Sequence, residues 1–287
     1  MTESTLLLGK LSIVGTPIGN LSDASPRVKE TLAAADVILC EDTRVTSKLL
    51  SAFDIHVPLQ RCDQNIIESQ IEPTLERLRA GQRVAFVSDA GMPGISDPGQ
   101  HLVDAALSEG LAIEVIPGPS AVTCALIASG LASDHFFFEG FLPRKHGQII
   151  QRLQQLAQIP GTIVLYESPF RVLATVEAIA EVFPTRQVAL VRELTKLHEE
   201  VVRDVAPCLV ETLAAKENLK GECVLVIAAP TEEELASASS QAEGESQLSL
   251  EDAIETGLAA GTRKSALAKE LSQKFGIARD EAYQAIL

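Results

Sequence analysis

Three kinds of segment in this 287-residue chain carry residue types able to do chemistry. Residues 88–99 (SDAGMPGISDPG) hold three glycines, two prolines and two aspartates. Such a loop lets backbone approach a bound molecule closely and fixes that approach. The plainer alternative is that Asp89 and Asp97 only cap turns, as Asx side chains do. Residues 15–20 (GTPIGN) offer two glycines after an apolar run, but neither a dinucleotide fingerprint nor a phosphate loop. The charged clusters Glu41-Asp42-Thr43-Arg44, 167–171 (ESPFR) and Arg192, Glu193, Lys196 supply carboxylates able to take a proton and cations able to hold an anion. For each of these the alternative is an exposed ion pair worth little.

Other chemistries find no pattern. The five histidines show no metal spacing, so no metal is assigned, and no serine sits in a GxSxG elbow. The five cysteines are scattered singly, without CxxC spacing, and read as reduced, small core residues.

The elements that must position these loops are strands alternating with helices. Apolar runs at Lys10–Val14, Val37–Cys40, 83–88, Ala112–Ile116, 136–139, 162–166, Gln187–Arg192 and 222–227 predict strands, mostly continuous rather than alternating. That pattern predicts burial on both faces, as in a parallel-rich sheet covered by helices. Helices are predicted at 25–35, 66–80, 101–109, Ala121–Ser129, 146–158 and 171–183. The class is α/β, and the chemistry-bearing loops all follow predicted strands, the edge where such folds bind ligands.

The stiff turn Pro117-Gly118-Pro119-Ser120 sets a domain boundary, giving domains at 1–119 and 120–230. Residues 231–247 read as a flexible acidic linker. Residues 248–287 read as a helical extension: Ser249 with Asp252 makes a capping-box pattern, and Leu267, Leu271 and Phe275 share a stripe that Gly276 ends. Residues 280–287 form another helix, and Ile286 adds to the small core.

The formal charge is −15 and the pI about 4.8, which argues against nucleic acid as a partner of the whole surface. Residues 231–253 hold seven acids and no Lys or Arg, which leaves room for a basic face elsewhere. No run approaches the ~18 apolar residues of a membrane span and no signal-peptide pattern opens the chain, so a cytoplasmic protein with no membrane partner is expected.

Together, residues 15–23 with Arg27, 40–44, 88–99, 117–121, 140–144, 166–171, 192–196 and 220–223 resemble the tetrapyrrole-methylase superfamily of S-adenosylmethionine-dependent methyltransferases. Within it the similarity is greatest to the branch that methylates a cytidine ribose 2'-hydroxyl in 16S rRNA of the small ribosomal subunit. The similarity spans residues 9–229, and the helical extension also resembles that branch's helix-turn-helix-like tail. One departure is clear: where the family carries Tyr-His-Glu-His-Asn, this chain has Gln60-Arg61-Cys62-Asp63-Gln64-Asn65, and the histidines' roles do not transfer.

The resemblance implies two α/β domains with S-adenosylmethionine in the cleft between them, usually in a homodimer. It implies that Pro17, Asp89, Gly91, Met92 and Ile95 border the cofactor, that Ser120 and Ala121 open a helix toward its carboxylate, and that Tyr166 and Leu225 enclose the adenine. Deprotonating a ribose hydroxyl calls for a general base, with Asp23, Glu41, Asp42 and Glu193 as candidates. Arg27, Arg44, Arg144, Lys145, Arg171 and Lys196 are the expected RNA phosphate contacts. Two other readings stand beside this one: a methylase of a small tetrapyrrole-like metabolite, and a non-catalytic S-adenosylmethionine-binding regulator.

Overall fold

Strands covered on both faces have no polar side to show, and the apolar runs of this chain form two such layers. The computed structural model describes residues 9–97, 99–216, 218–235 and 250–287. One compact unit, the chain through Leu156 together with Gly161–Ala229, holds both sheets.

The first sheet comprises β1 (Lys10–Val14), β2 (Val37–Cys40), β3 (Leu59–Arg61), β4 (Arg83–Val87) and β5 (Ala112–Ile116) in the order β3-β2-β4-β1-β5. Every pair is parallel. Helices α1 (Pro26–Ala33), α2 (Thr43–Ala52), α3 (Ile67–Arg79) and α4 (Gly99–Ser108) return the chain. Alternate strand residues serve opposite faces: Leu11, Leu39 and Phe86 pack with Leu78 and Leu102, whereas Val14, Ile38 and Ala85 pack with Val28 and Leu32. Because all five strands run one way, the loops after β1, β2, β4 and β5 gather at a single edge.

Helix α5 (Ala121–Ser129) leads into a second sheet of β6 (Phe136–Phe141), β7 (Thr162–Glu167), β8 (Gln187–Arg192), β9 (Glu200–Val205) and β10 (Cys223–Ile227), in the order β6-β7-β10-β8-β9. Helices α6 (His146–Leu156), α7 (Val172–Val182) and α8 (Ala206–Ala214) accompany it. Only β6 and β7 are parallel; the other three pairings are antiparallel. The expectation of a parallel-rich sheet therefore holds for the first layer and fails for the second. An unbroken apolar run reports burial on both faces and carries no information about strand direction.

Cys40, Cys62 and Cys223 are buried, and Cys124 is half-buried. Cys208 corrects the expectation of a core residue, since it lies exposed on α8.

A second compact unit includes Pro230–Leu287. Three helices are described there, Leu250–Ala259, Lys264–Phe275 and Arg279–Ala285. Leu267, Leu271 and Ile286 are buried with Ala268 and Ala282, and Phe275 packs against them half-buried. Gly276, in the left-handed conformation, ends the middle helix. Ser249 of the expected capping box, and residues 236–247 of the expected linker, lie outside the described residues. Among the described residues no helix is long and apolar enough to cross a membrane.

Candidate active site

The carboxyl edge of the first sheet faces a cavity of about 450 Å³, a size suited to a small-molecule ligand. Ile18 after β1, Glu41 after β2, residues 88–92 and 95–97 after β4, and Ser120 and Ala121 at the start of α5 line one side. Phe141, residues 166–169, Val191, Leu194 and residues 221–224 line the other, from the ends of β6, β7 and β8 and the start of β10.

The β4 loop is shaped by backbone bonds. Thr16 and Gly91 exchange both amide bonds, at 2.8 and 3.1 Å, fastening the exit of β1 to the loop. Gly91 has φ +80°, a conformation that a side chain would strain, although the space beside it is open: an added Cβ would sit 3.5 Å from the nearest atom, on Ile18. At Gly15 the constraint is the reverse, because a Cβ there would lie 2.5 Å from the Met92 sulfur and 2.6 Å from the Gly118 nitrogen. The Met92 sulfur in turn accepts a hydrogen bond from the Gly118 amide at 3.2 Å. Asp97 accepts from the amides of Gly94 and Gly99, both at 2.8 Å, and so acts as the turn-capping aspartate of the loop.

Glu41 and Asp89 make a crossed tie between β2 and β4. The Glu41 carboxylate accepts from the Asp89 amide at 3.2 Å, and the Asp89 carboxylate accepts from the Asp42 amide at 3.1 Å. Burial pushes the Glu41 carboxyl above its ordinary range, reinforced by the neighbouring charges of Asp97, Asp89 and Asp63 and opposed by the Asp89 amide. Burial likewise raises Asp89.

The four candidate bases separate on this geometry. Glu41 lines the cavity. Asp42 instead caps α2 and binds the Arg44 guanidinium at 2.6 and 3.0 Å, which holds its carboxyl down at about 2. Asp23 is exposed on the 3-10 turn Leu21–Asp23, away from the lining. Glu193 is bound by Lys196 at 2.8 Å, which lowers its pKa, and accepts from the Glu222 amide at 3.0 Å. Asp42, Asp23 and Glu193 thus depart from the expectation of a base at the site.

Of the residues expected at a cofactor, Asp89, Gly91, Met92, Ile95, Ser120, Ala121 and Tyr166 converge on the cavity. Pro17 and Leu225 do not line it. Leu225 is fully buried, and alternation along β10 turns it to the face opposite Val224, which lines the cavity in its place. Among the cations, Arg27, Arg144 and Lys145 are exposed, and Arg44 is exposed but paired with Asp42. Arg171 and Lys196 are committed to the protein. Arg171 donates to the carbonyls of Leu142 and Pro143 at 3.2 and 2.7 Å and lies 3.4 Å from Glu167, while Lys196 bridges Glu193 and Glu222.

Glu167, read in the sequence only as part of the charged cluster 167–171, lines the cavity as well. Buried at the end of β7, it accepts from the Ser168 amide at 2.8 Å and the Thr175 hydroxyl at 2.7 Å. Residues 60–65, where the family's histidines are missing, do not line the cavity; Gln60 bonds Gln70 and Arg77, and Asp63 pairs with Arg61. No cluster of metal-ligating side chains exists among the described residues.

Helix α5 makes no side-chain cap at Ser120, so its first-turn amides remain for an anion beside the cavity wall. Methionine, isoleucine, valine and tyrosine side chains supply apolar wall between the carboxylates on both sides.

The family model of the tetrapyrrole (corrin/porphyrin) methylases matches residues 10–209. The chain belongs to the tetrapyrrole methylase family. Among relatives of this tetrapyrrole methylase is the ribosomal RNA small subunit methyltransferase I of Synechocystis sp., 41% identical over 96% of this chain and 97% of that one. The protein of the same name from Thermotoga maritima is 44% identical over 77% of this chain and 98% of its own length. Solved structures agree in fold. A cobalt precorrin-4 methyltransferase superposes with a TM-score of 0.58 at 21% identity, covering 76% of this chain and 94% of its own. The uroporphyrin-III C-methyltransferase of Thermus thermophilus in complex with S-adenosyl homocysteine gives 0.54 at 18% identity, over 76% and 96%.

Proposed function

We propose that this protein transfers a methyl group from S-adenosylmethionine to a cytidine ribose 2'-hydroxyl in 16S rRNA of the small ribosomal subunit. The observation that carries the reading is the placement of Glu41, a half-buried carboxylate of raised pKa facing a cavity of cofactor size. The names of the relatives supply the substrate class.

The residues fit the cofactor. The uncapped α5 amides suit its carboxylate, the Gly91 backbone permits close approach, and Met92, Ile95, Tyr166 and Val224 give its apolar parts a surface. S-adenosylmethionine supplies, when bound, an electrophilic methyl group. The chain's own work is then to align the hydroxyl and to remove its proton. Glu41 takes that proton on a carboxylate oxygen; its raised pKa makes it a stronger base than an exposed glutamate. Arg27, Arg44, Arg144 and Lys145 face solvent and would hold phosphates, which positions RNA without reading its bases.

In this reading residues 1–119 and 120–230 are the two domains that share the cofactor, and the protein works in the cytoplasm as a homodimer. The helical extension, 248–287, is an accessory that engages the ribosomal particle. The Thermotoga relative, nearly all of which is matched by 77% of this chain, fits an accessory role.

The test is transfer of labelled methyl groups to 30S particles, naked 16S rRNA and small-molecule extracts. Label in the 30S particle, recovered as 2'-O-methylcytidine after nuclease digestion, is the expected result. Label confined to small molecules overturns it.

A further inference from the structure

At the rim of the cavity, aromatic surface stands outside the packing. Phe170 is 94% exposed and Phe141 57%, although rings of this size ordinarily bury most of their area. Phe170 follows Pro169 of the cavity lining, and its turn is tied on both sides. The Ser168 hydroxyl accepts from the Phe170 amide at 3.4 Å, and the Arg171 amide donates to the Ser168 carbonyl at 2.9 Å. Glu167 anchors the turn through Ser168 and Thr175.

Arg171 joins this turn to the end of β6 by its bonds to the Leu142 and Pro143 carbonyls. Phe141 lies there, its ring centroid 5.7 Å from that of Tyr166. Arg144 and Lys145 follow at once; both are exposed, and neither makes an ion pair among the described residues. Two cations without an ion pair among the described residues thus follow a solvent-facing ring on a chain of net charge −15.

We infer that Phe170, together with Phe141 on the segment that Arg171 ties to its turn, is a stacking subsite for an unpaired RNA base next to the methylated nucleotide, and that Arg144 and Lys145 hold the adjoining phosphates. The inference rests on the rRNA reading above and deepens it. Single-stranded RNA is recognised by this pairing of aromatic faces with cations along the backbone. A nucleotide drawn out of its stack toward a recessed methyl donor leaves the neighbouring base in need of a new stacking partner. Glu167 and Arg171 are positioning residues for the turn.

The experiment uses the full chain with 30S particles and compares Phe170→Ala, Phe170→Leu and Phe170→Trp. Sedimentation, thermal unfolding and cofactor titration serve as controls. Phe170→Ala is expected to raise KM for 30S particles about tenfold or more, leaving kcat, cofactor affinity, unfolding temperature and oligomeric state unchanged. Phe170→Trp restores KM and Phe170→Leu does not, which separates stacking from apolar burial. A wild-type KM in Phe170→Ala or Phe170→Leu, while the wild type methylates 30S particles, overturns the stacking subsite alone. A shifted oligomeric state in Phe170→Ala also overturns it, marking the face as a contact between copies. Failure of the wild type to methylate 30S particles overturns the rRNA reading and this inference together.

Discussion

The two sides of the cavity are built in different ways. On the first-sheet side the wall is mainly backbone: the Thr16–Gly91 exchange, the Gly15–Gly118 crossing and the amides of Gly94 and Gly99 gathered on Asp97. On the second-sheet side the wall is fixed by charged side chains, with Lys196 between Glu193 and Glu222, and Glu167 holding Ser168, Thr175 and Arg171. Parallel strands bring four loops to one edge at close quarters, where backbone meets backbone at Gly15 and Gly118 with no room for a further side-chain atom. The antiparallel pairings of the second sheet, with an edge strand at β9, leave room for long side chains. The first side should therefore fail by steric intrusion, and the second by loss of charge.

Glu41 stands apart from both mechanisms, and its removal has the largest expected effect. Glu41→Gln should lower kcat by about 10²- to 10⁴-fold in the 30S assay. The variant keeps an oxygen to accept the Asp89 amide. Because the folded-state pKa is raised, the stability tied to protonated Glu41 is full below about 4.5 and lost as pH rises through the folded value. At pH 7 the ionised group is thus a cost that Gln removes, so calorimetry should find the variant at least as stable as wild type. The acid limb of kcat/KM, displaced above 4.5 in wild type, should vanish in the variant.

Gly15→Ala tests the backbone side. A Cβ 2.6 Å from the Gly118 nitrogen forces apart two chain segments with no flexible end to move. A loss of about 3 kcal/mol is expected, or roughly 6–12 °C in Tm. A Tm within 2 °C of wild type would break the contrast.

On the side-chain wall, Arg171→Ala should cost about 1–3 kcal/mol, because it strands the Leu142 and Pro143 carbonyls and leaves Glu167 without its cation. Arg144→Ala should leave denaturant unfolding unchanged. Equal stability of the two variants would return Arg171 to the surface cations.

Lys196→Met keeps the stem and removes the charge, for the smallest effect, under about 1 kcal/mol and shrinking with salt. Glu193, held below its ordinary range by Lys196, contributes stability above its unfolded value that fades as pH falls through the lower folded value. The deficit of Lys196→Met relative to wild type should accordingly be present at pH 7 and close in acid. A deficit that persists at low pH would mean packing, not charge.

Sequence alone revealed the elements that bury themselves. VILC at β2 and CVLVI at β10 are apolar throughout and are buried throughout. It missed β3, whose LQR owes its conformation to pairing with β2, and β9, whose EVVRDV reads as charged surface because it lies on an edge. Helices α2 and α8 were also missed; Asp42, read as chemistry, is the N-cap that starts α2. At the site, residues 88–99 stood out because their composition is costly anywhere else. Phe141, Leu194 and Val224 did not, since an apolar residue looks the same whether it faces a core or a ligand. Glu167, a carboxylate closing the apolar run TIVLY, was legible through the charged cluster that it opens.

Met92 gives oxidation a route into the site. It is the only methionine after the first residue, and its sulfur fills the notch where Gly15 meets Gly118. Oxidation to the sulfoxide would add a polar oxygen at a contact with no spare space and a new chiral centre that only one arrangement can satisfy. A peroxide-exposed population should therefore lose its cofactor wall through a single thioether, with every charged side chain of the site still intact.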